Sequence, residues 1–141
     1  MRILILCTGN SCRSQMAHGY LQSLDCDLQV CSAGTVPATE VNPMAVEVMK
    51  EKGIDISTHT PHNVSEYSDE KWDYVITVCG DADANCPVFS GKVGKRLHFG
   101  FEDPAKAEGN NDEKMDMFRR VRDKIFTRFR IFYSEIKTEK Q

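Results

Sequence analysis

Short apolar runs along the chain alternate with stretches in which apolar residues recur at helical spacing. The runs at residues 2–6, 28–32, 72–78 and 95–99 predict four buried strands. Apolar residues recur every three or four positions at residues 14–24, 43–52 and 112–136, which predicts three helices. Strands that alternate with helices predict an α/β fold of three layers, in which a four-stranded parallel sheet carries helices on both faces.

The predicted helices have identifiable ends and faces. Asn42 is suited to the N-cap of the second helix, Pro43 to its first position and Gly53 to its C-cap. Residues 54–64 are predicted to form a loop before a short helix at 65–70, and residues 80–93 a long loop or short helix. We expect the arginines of the last helix to form a solvated face. Its predicted core face comprises Phe118, Val121, Ile125, Phe129, Phe132 and Ile136.

Length and composition narrow the class of protein. The 141 residues suffice for one domain, residues 1–141, and we expect a monomer. A net charge of −3 argues against nucleic acid or a membrane as partner. The longest apolar run, residues 3–7, is too short to span a membrane and follows no signal segment, so we expect a cytoplasmic protein. The six cysteines show no zinc-binding spacing, and a chain of this length needs no disulfide scaffold.

The segment CTGNSCRS, from Cys7 to Ser14, connects the first strand to the first helix. We predict that its backbone N–H groups converge on an oxyanion, aided by the positive end of the helix dipole. Arg13 can grip the same anion with two donors, and Ser14 can donate a hydrogen bond to the Cys7 sulfur. Gly9 and Asn10 suit the positive φ of such a loop. The predicted binding loop comprises Thr8, Gly9, Asn10, Ser11, Cys12, Arg13 and Ser14.

Cys7 is the predicted nucleophile, because a helix N-terminus and a neighbouring arginine favour the thiolate form of a cysteine. The alternative is a buried cysteine that ends a strand beside a solvated Arg13. Cys12 is predicted to pack the loop from below, with an off-pathway disulfide to Cys7 as the alternative. Cys26 and Cys31 are predicted to be small apolar residues at a helix end and in a strand.

Three candidate reactive side chains each follow a predicted strand. Cys7 ends the first strand, Cys79 ends the third, and Asp103 lies in the loop after the fourth. Ligands of parallel α/β sheets bind beyond the carboxyl ends of the strands, so we expect one rim of the sheet to hold all three.

The segments CTGNSCRSQMA, TVCGDADANCP and HFGFEDP resemble the thioredoxin-coupled arsenate reductases, which share their fold with the low-molecular-weight protein tyrosine phosphatases. The similarity extends from Arg2 through the last helix. Its most specific feature is the pair Cys79 and Cys86, with six residues between them. The phosphatases share the Cys-x5-Arg-Ser loop and the Asp-Pro but are not expected to have this pair.

The resemblance implies a reaction that uses thiols and neither a cofactor nor a metal ion. Cys7 attacks arsenate, which Arg13 and the loop amides hold, and Asp103 protonates the departing hydroxyl. Cys79 then attacks the Cys7 sulfur, and arsenite leaves. Cys86 attacks Cys79 in turn, and thioredoxin reduces the resulting redox-active disulfide between Cys79 and Cys86.

Two other functions remain open at this stage. One is a phosphatase that uses Cys7 and Asp103, with Cys79 and Cys86 incidental, although Pro104 is followed by no aromatic residue to stack on a phenyl ring. The other is a non-enzymatic oxyanion or redox sensor that signals through its disulfide. Repeated, substrate-dependent oxidation of a thioredoxin system separates the reductase from both.

The segment between Cys79 and Cys86 is expected to change conformation with redox state. If residues 80–87 are helical in the reduced protein, the Cα atoms of the two cysteines lie roughly 10 Å apart. A disulfide requires about 4.4 to 6.8 Å, so we expect unwinding on oxidation, mainly between residues 80 and 92. The alternative is a permanently irregular loop. The residues that weaken a helix here are Gly80, Asp81, Asp83, Asn85 and Pro87.

We predict no strong dependence of activity on potassium. Some arsenate reductases of this type have a monovalent-cation site built partly from two carboxylates, which align here with His18 and His62. Neutral imidazole is a poor ligand for a hard cation, and protonated imidazole repels it. The simpler interpretation of His18 is that it faces solvent. Activity in sodium and in potassium at matched ionic strength tests the prediction, and a several-fold gain in potassium contradicts it.

Overall fold

A computed structural model describes residues 1–84, 86 and 88–139, without the side chains of Asp81 and Asp83. Four parallel strands form one sheet in the order β2-β1-β3-β4. The predicted α/β fold is therefore confirmed. The strands are β1 (Arg2–Cys7), β2 (Gln29–Gly34), β3 (Trp72–Thr77) and β4 (Val93–His98). The helices are α1 (Arg13–Leu24), α2 (Pro43–Lys50), α3 (Gly80–Ala84) and α4 (Asn111–Glu139), with 3-10 turns at Val64–Glu66 and Pro104–Lys106.

The strand bounds differ from the predicted ones because pairing between strands sets them. β2 continues to Gly34, which pairs with Cys7 at the end of β1. β4 begins at Val93, which pairs with Trp72 at the start of β3. The ends of these strands depend on hydrogen bonds to a partner strand that is distant in sequence. The local pattern of apolar residues therefore does not determine them.

α2 has the predicted N-terminus but an earlier C-terminus. The Asn42 side chain accepts a hydrogen bond of 2.8 Å from the Met44 N–H. The helix ends at Lys50, and Gly53 follows with a φ of 75°. That conformation lets the Ile54 N–H donate to the Met49 carbonyl at 3.1 Å.

The core lies between the sheet and the long helix α4. Every residue from Ile3 to Leu6 is fully buried, as expected for a central parallel strand that is covered on both faces. All six apolar residues predicted for the core face of the last helix are buried. Neither α4 nor any other helix among the described residues is long and apolar enough to cross a membrane.

The arginines of α4 do not all face solvent, contrary to the prediction. The Arg122 side chain is only 5% exposed, and its guanidinium donates to the Val48 carbonyl and to the Glu51 carboxylate, both at 2.8 Å. Arg119 donates to the same carboxylate from a more exposed position. These hydrogen bonds from Arg119 and Arg122 lower the pKa of Glu51 to about 2. Arg122 lies four positions after Phe118, and this spacing places it on the core face of the helix.

We predict that Arg122→Ala lowers the free energy of unfolding by about 1 to 3 kcal/mol, because Val48 lies in the last turn of α2, where carbonyls lack intrahelical partners. Urea denaturation at pH 7 measures the change. Arg119→Ala is the matched control, since it removes an exposed donor to the same carboxylate and is expected to cost less. Equal losses in the two variants would contradict a special role for the buried arginine.

Candidate active site

The loop between β1 and α1 surrounds the sulfur of Cys7, which is buried at the end of β1. The Asn10 N–H donates to the Cys7 sulfur at 3.1 Å, and Ser14 Oγ lies 2.9 Å from it. Asn10 Nδ2 donates to Ser14 Oγ at 2.7 Å, which leaves the Ser14 hydroxyl hydrogen for the sulfur. Two donors therefore converge on Cys7, and both stabilise negative charge on its sulfur.

The positive φ of the loop falls on Asn10 and not on Gly9. Asn10 has a φ of 52°, and it is the only non-glycine residue with a positive φ among those described. Gly34 supplies the close approach that the loop needs. A Cβ at Gly34 would lie 2.4 Å from the Thr8 carbonyl oxygen and 3.1 Å from the Asn10 nitrogen. Gly34 lies far from the loop in sequence, so its role could be recognised only from the fold.

Arg13 and Asp103 face each other across the mouth of the loop. Arg13 Nη1 donates to the Phe101 carbonyl at 3.0 Å, and Nη2 lies 3.6 Å from Asp103 Oδ2. The other carboxylate oxygen of Asp103 accepts from the Ala105 N–H at 3.0 Å. Glu102 points elsewhere and pairs with Lys124 on the surface. The structure thus brings Asp103, and not its acidic neighbour, to the predicted oxyanion-binding loop of residues 8–14, which we call the anion loop.

Cys79 lies at the same rim, directly after β3. It is buried, and its sulfur lies 3.3 Å from the Thr8 hydroxyl oxygen of the anion loop. The Ala82 N–H, in the first turn of α3, donates to the same sulfur at 3.4 Å. Cys7, Cys79 and Asp103 therefore share one rim, as the topology suggested.

Cys86 is half-buried beside β4, and its sulfur accepts a hydrogen bond of 3.4 Å from Arg96 Nη1. The Arg96 guanidinium also lies over the ring of Phe89, 5.3 Å from the ring centroid. Helical structure in the preceding segment is limited to the five residues of α3 among those described. The weak helix formers Asn85 and Pro87 lie outside the described residues.

The remaining cysteines differ in their surroundings. Cys12 is buried in the loop, and burial raises its pKa to about 12, which suits the predicted packing role. Cys31 is half-buried in β2, and burial raises its pKa. Cys26 is exposed, so its prediction as an apolar filler is wrong. Cys26 follows the end of α1 and lies between Asp25 and Asp27, two charged residues that favour a surface position.

His18 does not face solvent, contrary to the simpler interpretation. Its ring packs on that of His59, with the centroids 4.6 Å apart, and its Nδ1 lies 2.9 Å from Ser32 Oγ. Burial, with a smaller contribution from His59 and His62, lowers the pKa of His18 to about 4. Within the described part of the chain, no group of three or more histidine, cysteine or acidic side chains is arranged to hold a metal ion.

Comparison with known proteins places this geometry in a family. The low molecular weight phosphotyrosine protein phosphatase family matches residues 2–141 of the chain. The arsenate reductase of Halalkalibacterium halodurans is 50% identical over 131 residues, which cover 92% of this chain and 93% of that protein.

Solved structures show the same fold. An arsenate reductase in its oxidised state superposes with a TM-score of 0.81 at 29% identity, covering 96% of this chain and 98% of that one. A thioredoxin-dependent arsenate reductase from Corynebacterium glutamicum has a TM-score of 0.70 at 28% identity, covering 98% of this chain and 62% of that one. An arginine phosphatase from Geobacillus stearothermophilus has a TM-score of 0.76 at 28% identity, covering 98% of this chain and 94% of that one.

Proposed function

We propose that this chain, which belongs to the low molecular weight phosphotyrosine protein phosphatase family, is an arsenate reductase that reduces arsenate to arsenite with its own thiols. The observation that carries the proposal is the contact of 3.3 Å between the Thr8 hydroxyl and the Cys79 sulfur. Cys79 is buried, and this contact puts its sulfur at the edge of the anion loop, in addition to the two buried cysteines of the loop itself, Cys7 and Cys12. Hydrolysis of a phosphate ester requires one thiol, whereas a two-electron reduction by thiols requires two.

In the first step, the Cys7 thiolate attacks the arsenic atom of bound arsenate. The Arg13 guanidinium holds the arsenate oxygens together with amides of the loop other than that of Asn10, whose N–H donates to the Cys7 sulfur. Asp103 donates a proton to the departing hydroxyl, which leaves as water. A bond between sulfur and arsenic has formed, and the arsenic is still pentavalent.

In the second step, Cys79 attacks the sulfur of Cys7. The electron pair of the bond between sulfur and arsenic passes to arsenic, which becomes trivalent and leaves as arsenite. The two sulfurs are oxidised to a Cys7–Cys79 disulfide, so the electrons balance. The Ala82 N–H in the first turn of α3 donates to the Cys79 sulfur, and the Thr8 hydroxyl lies within hydrogen-bond distance of it, so both contacts hold Cys79 at the loop for this attack.

In the third step, Cys86 attacks Cys79 and restores the Cys7 thiolate. The new Cys79–Cys86 disulfide lies outside the anion loop, where a small dithiol protein of the thioredoxin class can reach and reduce it. The thioredoxin-dependent neighbour from Corynebacterium glutamicum supports this choice of reductant. The half-buried position of Cys86 is consistent with a disulfide that must become accessible.

A phosphatase is the second candidate function. Cys7, Arg13 and Asp103 have the arrangement that hydrolysis of a phosphate monoester also requires, and the arginine phosphatase neighbour shares the fold. Arsenate and phosphate have the same shape and charge, so we expect slow hydrolysis of phosphate esters as a side activity.

The function is tested by an assay in which arsenate reduction is coupled to thioredoxin, thioredoxin reductase and NADPH. We expect Cys7→Ser, Cys79→Ser and Cys86→Ser each to abolish repeated turnover, and Cys86→Ser to release one arsenite per molecule. Hydrolysis of p-nitrophenyl phosphate is expected to require Cys7 but neither Cys79 nor Cys86. Cys26→Ser is the matched control, because that cysteine is exposed and away from the loop. Turnover that survives Cys79→Ser would rule out the proposed relay.

The side chain of Asp103 is the predicted general acid. We expect Asp103→Asn to lower kcat for arsenate by roughly 10²- to 10⁴-fold, the usual effect of removing a positioned acid. Glu102→Gln is the matched control, since Glu102 precedes Asp103 but pairs with Lys124 on the surface. A larger loss of kcat in the control than in Asp103→Asn would reverse the assignment.

A further inference from the structure

Two histidines that the proposed reaction does not use pack against each other beside the anion loop. His18 lies on α1, and His59 lies in the connection between α2 and β3, with 34° between their rings. His59 Nδ1 lies 2.9 Å from Oε1 of Gln15, a buried side chain one residue after Ser14. The pair lines a cavity of about 170 Å³. His59 is therefore one hydrogen bond away from the helix that carries the loop.

Burial favours the neutral form of both imidazole rings: it lowers the pKa of His18 to about 4, and it lowers the pKa of His59 against the opposing charge of Asp55. Neutral rings can pack against each other at this tilt without charge repulsion, and each then has one N–H donor. The other titratable groups that face the pair are Cys31 and Tyr67, both with a raised pKa, and His62 with its partner Glu66.

The surroundings of Gln15 determine which ring nitrogen of His59 carries the hydrogen. Gln15 Nε2 faces three acceptors: the Asn10 carbonyl and Oδ1, both at 3.1 Å, and the Thr60 carbonyl at 3.3 Å. The amide nitrogen must therefore point toward Asn10 and Thr60, and Oε1 must point toward His59. Since Oε1 can only accept, His59 donates from Nδ1.

Gln15 donates to two acceptors of Asn10, its backbone carbonyl and its side-chain Oδ1. Asn10 Oδ1 accepts from Gln15 and from the backbone N–H of His62 at 2.9 Å, so its Nδ2 is directed to Ser14. With its carbonyl and side chain held, Asn10 keeps the positive φ that directs its N–H at the Cys7 sulfur. A continuous series of hydrogen bonds thus leads from His59 through Gln15 and Asn10 to the nucleophile.

We propose that His59 is a positioning residue for Cys7: its donation to Oε1 of Gln15 anchors the Gln15 amide, which holds Asn10 with its N–H on the sulfur. Without this donor, the buried Oε1 of Gln15 loses a hydrogen bond and the amide is held only through its nitrogen, which loosens the position of Asn10. The inference rests on the proposed function only in taking Cys7 as the nucleophile.

The test measures the rate at which iodoacetamide alkylates Cys7 at pH 7, followed by mass spectrometry of the Cys7 peptide. We expect His59→Leu to slow this rate by roughly 3- to 10-fold, the effect of one hydrogen bond. His59→Asn is expected to restore it to within about 2-fold, because the asparagine amide nitrogen can take the place of Nδ1. His62→Leu is the matched control: it removes an imidazole nearby but keeps the backbone N–H that Asn10 uses.

Gln15→Met is a second variant that interrupts the same series of hydrogen bonds. It replaces His59→Leu in the test if thermal unfolding shows that His59→Leu does not fold. It is expected to slow alkylation at least as much as His59→Leu, and the double variant no further than Gln15→Met alone. Unchanged alkylation in His59→Leu and Gln15→Met, or an equal loss in His59→Asn and His59→Leu, overturns the proposal. The assay uses neither arsenate nor thioredoxin, so the expected pattern in a chain without reductase activity would support the positioning role and refute only the proposed function.

Discussion

The hydrogen bond from the Asn10 N–H to the Cys7 sulfur is the contact on which the rest of the site depends. It requires a left-handed backbone at Asn10, which costs a residue with a side chain about 1 kcal/mol. The buried surroundings offset this cost, because Gln15, Ser14 and the backbone of His62 each form a hydrogen bond with Asn10. The conformation of one residue is thereby determined by α1 and by the loop before β3.

The parallel sheet places the other reactive groups around this contact. Leu6 of β1 pairs with Thr77 of β3, so the chain leaves both strands at the same level of the sheet and Cys79 arrives beside Thr8. Gly34 of β2 pairs with Cys7 and leaves space for the loop. Asp103 follows β4 at the opposite edge, where it meets Arg13. The site therefore draws on the carboxyl ends of all four strands.

Features that depend on a few neighbouring residues could be predicted from the sequence. The cap at Asn42, the apolar face of α4 and the strand before Cys7 are of this kind, and the structure has all three. Features that depend on distant contacts could not be predicted. The burial of Arg122 results from a carbonyl in α2, and the packing of His18 results from His59 in another segment.

Within the site, the sequence identified which residues converge but not how they are held. Cys7, Cys79 and Asp103 were expected at one rim because each follows a strand of a parallel sheet, and Arg13 was expected from its place in the loop. The part played by Gln15 was missed, since a glutamine on a helix near a glycine-containing loop has no distinctive pattern. Its importance follows from burial and from three acceptors that only the folded chain assembles.

The three thiols differ in how firmly the backbone holds them. Cys7 ends the central strand, whose neighbours lie on both sides; Cys79 follows the next strand, and Cys86 lies beyond a helix of only five residues. In the proposed relay, oxidation that starts at Cys7 therefore passes outward, from the end of a central strand to a cysteine outside the sheet. The last disulfide of that relay forms outside the sheet, so the relay requires no change in the strands that shape the anion loop.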